Sequence, residues 1–220
     1  MDNTVKNLIG IKESIKTHLN KLEINTNPKI IAVSKTFKIE RILPLIEHGH
    51  IDFGENKVQE ASEKWTEIKK INSNISLHMI GKLQTNKVKF AVQIFDYIHS
   101  VDSEKLAKKI VDEQNKINKK IKIFLQVNIG NEDQKSGINK NDVSSMVLYC
   151  KEVGLDLIGL MCIPPVETSP EKYFKEMSML NKSSGLVELS MGMSSDYLEA
   201  VKCGSTYVRI GSKIFGSRTK

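Results

Sequence analysis

From residue 28 onward, short apolar runs alternate with longer stretches whose apolar residues recur at helical spacing, and this alternation restricts the fold more than any other feature of the chain. The runs are IIAVS (30–34), IDFGE (51–55), LHMIG (77–81), YIHSV (97–101), IKIFLQVNI (121–129), LDLIGLM (155–161), LVELSM (186–191) and TYVRIG (206–211). Each has the length of a strand, and each is followed by a segment that reads as a helix, from KIERILPLIEHG (38–49) to a closing SKIFGS (212–217). Strands joined in this way lie parallel, because only a crossover of helix length returns the chain to the same end of the sheet. Eight such units predict an α/β fold, a single closed (β/α)8 barrel of the TIM type. An open doubly wound sheet is the rival, since no sequence pattern proves closure.

Ahead of the alternation, Val5, Leu8, Ile9, Ile15, Leu19 and Leu22 recur at helical spacing across residues 4–23. The expected organisation is one domain over 1–220, with an extra N-terminal helix within 1–27 and the barrel over 28–218. A chain of 220 residues is long enough to bury one sizeable core. No linker, low-complexity tract or repeat longer than the β/α unit interrupts it.

Composition removes several classes of function. The longest apolar stretch, LDLIGLMCIPPV (155–166), falls far short of a bilayer span, and the first residues carry both signs of charge, unlike a signal peptide. A cytoplasmic protein with no membrane partner is expected. Cys150, Cys162 and Cys203 show no CxxC spacing and are odd in number, so they read as ordinary buried thiols, with neither a disulfide framework nor a metal site. The net charge is +7, yet only Arg41, Arg209 and Arg218 are arginine. The remaining cations are lysines spread along helices, a composition that does not build a phosphate-reading face, so no nucleic acid is expected as a partner.

In a parallel barrel, function gathers where the loops after the strands converge over the axis. Those strand ends carry Lys35 with Thr36, Glu55 with Asn56, His78 with Gly81, Ser100 with Asp102, Asn128, Met161 with Cys162, Ser190 to Ser194, and Arg209 to Ser212. On the seventh and eighth strands, SMGMSSD (190–196) and RIGSKIFGS (209–217) each set a glycine and hydroxyl residues at a strand-to-helix turn. Glycine lets the backbone approach an anion, the amides and dipole of the following helix favour negative charge, and Ser194 and Ser212 add donors. These two loops build the usual phosphate site of the barrel. Neither is a Walker loop, because GSKIFGS lacks the Gly-Lys-Ser/Thr ending.

Lys35 ends the stretch IIAVSK. From position alone it reads either as a solvated strand end or as an amine held for chemistry. An ordinary lysine, with a pKa of about 10.4, is almost wholly protonated at neutral pH and must be neutral to attack a carbonyl. An enclosed barrel mouth beside a second cation favours the neutral form. A lysine facing a phosphate cradle across one barrel is the arrangement that grips pyridoxal phosphate at both ends.

At this point the motifs carry a resemblance. IIAVSKTF, FGENKVQE, HMIGKLQTNK, FDYIHSVDS, KSGI, GLMCIPP, LSMGMSSDYLEAV and GSTYVRIGSKIFGSR, in that order between residues 30 and 218, resemble those of the pyridoxal phosphate homeostasis protein family. The resemblance implies a fold-type III barrel like the amino-terminal domain of alanine racemase. It implies pyridoxal 5′-phosphate as cofactor, a Schiff base on Lys35, phosphate held by Ser194, Gly211 and Ser212, and Arg209 facing the pyridine nitrogen, with Asn56 and His78 lining the pocket. Two departures accompany it: the family has Thr where Ser212 stands, and the segment between Pro165 and Leu189 is shorter than in the family, which implies a trimmed sixth crossover helix.

A guanidinium offers donors only, so Arg209 would leave the pyridine nitrogen without a proton of its own and weaken the electron sink. Racemisation also needs an acid or base on each face of the substrate carbon. Racemases that resemble this fold take the second group from a tyrosine on a further carboxy-terminal domain, and the chain is expected to have none. Tyr97, Tyr149, Tyr173, Tyr197 and Tyr207 read as packing residues, which leaves His78 as the pocket candidate. The expected function is therefore intracellular pyridoxal phosphate (vitamin B6) homeostasis without committed turnover and with no catalytic residues, in a monomer that could supply cofactor-dependent apo-enzymes. A small amino-acid racemase or epimerase in the same pocket is the alternative.

Overall fold

The computed structural model of the chain describes residues 1–132, 134–166 and 169–217. The first helix, α1 (Asn3–Lys21), begins where the Asp2 carboxylate accepts from the Thr4 amide at 2.7 Å, a side-chain cap for an otherwise unpaired helix donor. Val5, Leu8, Ile11, Ile15 and Leu19, spaced three or four apart, form its buried face.

Eight strands follow: β1 (Lys29–Val33), β2 (Asp52–Glu55), β3 (Ser76–Met79), β4 (Tyr97–Val101), β5 (Lys122–Val127), β6 (Asp156–Cys162), β7 (Glu188–Met193) and β8 (Tyr207–Ile210). All pair in parallel and in sequence order, and β1 pairs with both β2 and β8, so the barrel is closed. The expected closed barrel is thus the fold observed, and the pairing of β1 with β8 removes the open sheet. The crossover helices are α2 (Leu43–Glu47), α3 (Val58–Ile71), α4 (Val88–Ile94), α5 (Glu104–Lys116), α6 (Val143–Glu152), α7 (Pro170–Ser183) and α8 (Tyr197–Lys202), and α9 (Ser212–Phe215) follows β8.

One difference from the sequence reading has a local cause. Helix α2 covers only the end of the expected 38–49 segment, because Pro44 sits in its first turn, where the missing N–H is no loss, and a 3-10 turn (Ile39–Arg41) fills the space before it. Helix α7, in the segment expected to be shorter than in the family, spans 14 residues. The expected end of the barrel at Arg218 lies outside the described residues.

The strands are buried on both faces, against helices outside and against one another inside, which is why they read as continuous apolar runs. Ile31, Tyr97, Phe124, Met161 and Tyr207 pack together in the barrel interior, apart from the larger layer between strands and helices. Helix α1 lies against α2, α8 and α9, and Asn7 Nδ2 donates to the Ile214 carbonyl at 2.9 Å. Cys150, Cys162 and Cys203 are buried free thiols, and burial pushes Cys150 and Cys162 up to about 12. Among the described residues no helix is long and apolar enough to cross a membrane.

Candidate functional site

A cavity of about 680 Å³ opens at the carboxyl ends of the strands, within the size range of small-molecule sites. Lys35, Asn56, Ser194, Arg209, Gly211 and Ser212 all line it. Strand pleating accounts for much of this lining, because alternate residues face the barrel axis. Along β1 and its extension, Ile31 lies in the interior, and Val33, Lys35 and Phe37 continue the same parity into the cavity. Along β8, Tyr207, Arg209 and Gly211 do the same.

The backbone on both sides of Lys35 is fixed. Ser34 Oγ donates to Glu55 Oε1 at 2.8 Å, and the Ser34 carbonyl accepts from Lys64 Nζ at 3.0 Å. Thr36 has φ of 69°, a left-handed conformation that is uncommon for a β-branched residue, and its amide donates to Glu60 Oε1 at 2.5 Å. Buried Glu55 also accepts from Lys64 Nζ at 2.9 Å and Trp65 Nε1 at 2.9 Å, so α3 clamps the end of β1 through one carboxylate oxygen. Asn56 follows Glu55 and is half-buried, and its Oδ1 is buried with no hydrogen-bond partner among the described residues.

Arg209 is 5% exposed and bonds only to neutral groups: Nη1 donates to Ser190 O and Ser190 Oγ, each at 2.7 Å, and Nη2 to Cys162 O at 2.8 Å. Among the described residues it makes no ion pair. Burial pushes its pKa down, against smaller opposing effects of Cys162 and Asp196. A buried cation without a carboxylate makes the mouth positive and receptive to an anionic ligand.

The two glycine-serine turns meet at Ser194, whose Oγ accepts from the Gly211 amide at 3.3 Å and, weakly, from the Lys213 amide at 3.5 Å. The glycine that the backbone requires is Gly192, with φ of 90°, rather than Gly211, with φ of −114°. Gly211 matters for proximity: a Cβ there would stand 3.4 Å from Val33, on the strand that leads to Lys35. The expected helix dipoles are cut down, because α8 has six residues and α9 four, so any anion binding would rest on first-turn amides and hydroxyls rather than on long helices.

His78 is the expected site residue that the structure does not bring to the mouth. It is fully buried inside the barrel, with its ring stacked on Tyr97 at 4.2 Å between centroids and its Nε2 3.0 Å from Asp52 Oδ1. The strand ends at Met79, and the next residue of the same parity, Ile80, is the one that lines the cavity. Sequence reading missed Phe37, Ile80, Ile163 and Met193, which give the cavity apolar walls, and Lys213, whose Nζ lies 4.7 Å from the Tyr197 ring centroid. Parity along the strands was the available signal for Phe37 and Ile80. Among the described residues no tyrosine, histidine or carboxylate lines the cavity, and no cluster of three or more His, Cys, Asp or Glu is placed to hold a metal ion.

A family profile described as "Alanine racemase, N-terminal domain" matches residues 10–219. The pyridoxal phosphate homeostasis protein of Haemophilus influenzae is 36% identical, over 98% of this chain and 96% of its own length. The chain belongs to the pyridoxal phosphate homeostasis protein family. The Escherichia coli K12 member of that family is 34% identical over 86% of this chain and 85% of its own. The solved structure of PipY from Synechococcus elongatus with pyridoxal phosphate bound superposes with a TM-score of 0.79 at 32% identity, covering 92% of this chain and all of that one. Alanine racemase from Clostridium difficile superposes with a TM-score of 0.73 at 17% identity, covering 58% of that chain, a likeness of fold alone.

Proposed function

We propose that this protein binds pyridoxal 5′-phosphate at the barrel mouth and serves its intracellular homeostasis. One observation carries the reading: a single cavity collects the Lys35 amine, the Ser194 and Ser212 turns and the buried guanidinium of Arg209. The donor set fits the cofactor. Lys35 supplies the amine that condenses with an aldehyde, with loss of one water. Ser194, Ser212 and the Gly211 amide suit a phosphate, and Arg209 suits an aromatic nitrogen that accepts a hydrogen bond. Asn56 Oδ1, buried and without a partner, is an acceptor awaiting a donor. The cofactor itself supplies the reactive aldehyde and a conjugated ring that draws electrons.

Holding the cofactor, rather than turning over an amino acid, is the role these residues support. Arg209 would donate to the ring nitrogen and would not stabilise its protonated form. Among the described residues the groups at the cavity able to move a proton are lysines and serines, while racemisation wants an acid and a base on opposite faces. The amine, the guanidinium and both hydroxyl turns of the cavity belong to this chain itself, which suits a monomer, and free buried thiols suit the cytoplasm. Delivery to cofactor-requiring apo-enzymes completes the proposed role.

The test is direct. Purified protein mixed with the cofactor is expected to gain a visible absorbance band, and borohydride reduction followed by peptide mapping is expected to place the adduct on Lys35. Lys35→Ala should lose both signals. An adduct elsewhere, or a band undiminished in Lys35→Ala, overturns the reading. Release of α-hydrogen from amino acids in deuterated water, well above the rate with free cofactor, would make the protein a racemase-type enzyme instead.

A further inference from the structure

Inside the barrel, five buried polar residues from five different strands are joined end to end. Asp52 Oδ1 lies 3.0 Å from His78 Nε2, His78 Nδ1 lies 3.0 Å from His99 Nε2, His99 Nδ1 lies 2.8 Å from Ser190 Oγ, and Ser190 Oγ lies 2.7 Å from Arg209 Nη1. The line runs from the first residue of β2, at the closed end of the barrel, to a residue that lines the cavity at the open end.

The Asp52 end and the neutrality of both rings together set the direction of every bond. A guanidinium only donates, and an ionised carboxylate only accepts. Asp52 accepts, so His78 carries its proton on Nε2; as a neutral ring it then accepts on Nδ1 from His99 Nε2, and neutral His99 accepts on Nδ1 from the Ser190 hydroxyl, whose oxygen accepts from Arg209. Each bond of the line then has one donor and one acceptor. Burial holds both histidines below their ordinary value, in agreement. For Asp52, burial pulls upward, yet the carboxyl is held below its ordinary value, with the hydrogen bond from His78 the largest lowering cause. The rings have little freedom to turn: His78 stacks on Tyr97 at 4.2 Å, and His99 on Phe124 at 4.3 Å.

Arg209 has five N–H donors. Three are used by Ser190 and Cys162, and among the described residues the other two have no acceptor. Which two remain for a ligand depends on how the guanidinium plane is held.

We infer that Ser190 and His99, backed by His78 and Asp52, are positioning residues for Arg209: a one-way hydrogen-bonded line through the barrel fixes the guanidinium plane and aims its remaining donors at the ring nitrogen of the cofactor. This rests on the cofactor reading above. None of the four residues lines the cavity, so they act through Arg209.

Two measurements test it separately. Nitrogen NMR of histidine-labelled full-length protein without cofactor, at pH 7.5, is expected to show His78 and His99 as neutral Nε2-protonated rings; either ring protonated on Nδ1 overturns the line itself. Titration with pyridoxal phosphate is then expected to show Ser190→Ala binding about tenfold more weakly with a displaced absorbance band, a loss on the scale of one charge-assisted hydrogen bond. Ser190→Thr, which keeps the hydroxyl, should bind within about twofold of wild type with the band restored. His99→Phe interrupts the line one step further away and should repeat the Ser190→Ala result. Unchanged affinity and band in Ser190→Ala overturn the positioning role, and if that variant does not fold, His99→Phe decides by the same criterion. If the wild type binds no cofactor at all, it is the site reading that fails, while the NMR result still judges the line.

Discussion

Gly192 shows how much one residue contributes to this site. Its φ of 90° belongs to a region that L side chains rarely occupy, and a Cβ there would stand 2.5 Å from Ala200 Cβ and 3.2 Å from Tyr197 Cα. Gly192→Ala therefore combines an unfavourable backbone with overpacking against α8, for an expected loss of about 2–4 kcal/mol. Urea denaturation measures it, and a loss within about 0.5 kcal/mol of zero would show that α8 yields freely. The same displacement should weaken cofactor binding, because Ser194 stands in the turn between Gly192 and α8. At this scale the cavity-lining residues were legible, since Lys35, Asn56, Ser194 and Ser212 follow the ends of predicted strands and Arg209 and Gly211 lie in the last residues of one. Depth was less so. His78 was placed at the mouth because its strand was extended to Gly81, whereas the ladder stops at Met79 and leaves His78 one layer below Ile80. Ser190, counted with the seventh turn, lies on the same side of that divide as His78: it faces the interior and bonds Arg209.

Among elements, α3 has a task beyond covering the sheet. Lys64 and Trp65, adjacent on that helix, both donate to Glu55 Oε1, and Lys64 also holds the Ser34 carbonyl beside Lys35. The Glu55 side chain is fully buried and that of Lys64 is 9% exposed, so removing the lysine leaves a buried carboxylate without its counter-charge. Lys64→Met is expected to cost about 3–5 kcal/mol, and adding Glu55→Gln should return a large part of it, because the stranded charge goes with it. A double-mutant cycle in urea checks this, and strict additivity would mean that the pair is not coupled. The clamp was not legible in the sequence. The element pattern showed α3 as an amphipathic crossover, and nothing in NKVQEASEKW distinguishes the lysine that reaches inward from those that face water. Element existence was legible for all eight strands because each is an apolar run between helical spacings. The helix ends were not, because 3-10 turns at Ile39–Arg41, Thr85–Lys87 and Lys140–Asp142 occupy stretches that share helical spacing.

At the scale of the whole molecule, closure joins residues far apart in sequence, with Lys29 opposite Tyr207 and Ala32 opposite Ile210. Local pattern carries no signal for such a pairing, which is why an open sheet remained a rival until β1 was seen beside β8. Closure also seals three histidines away from water. His50 is pushed down to about 4, chiefly by burial, and His78 and His99 are lowered by burial as well. In the unfolded chain each takes up a proton as pH falls through about 6.5, whereas in the folded chain each takes it up only at lower pH. The unfolded state then binds more protons, so stability is full above that value and is lost as pH falls through it. Asp52, held low in the fold, adds a loss of the same sign further down; Asp102 and Asp196, raised mainly by burial, act in the opposite sense from the ordinary carboxylate range upward. Between pH 7.5 and 5.5 the histidines dominate: His50, pushed down to about 4, is expected to contribute a loss of about 1.4 kcal/mol, and His78 and His99 add to it in the same sense. Urea denaturation of the cofactor-free protein at the two pH values measures the difference directly. His50→Gln should reduce it by about 1.4 kcal/mol, by removing that one titration. Stability that stays level across this interval would mean that the interior histidines are protonated in the folded protein, and the neutral line from Asp52 to Arg209 would be lost with it.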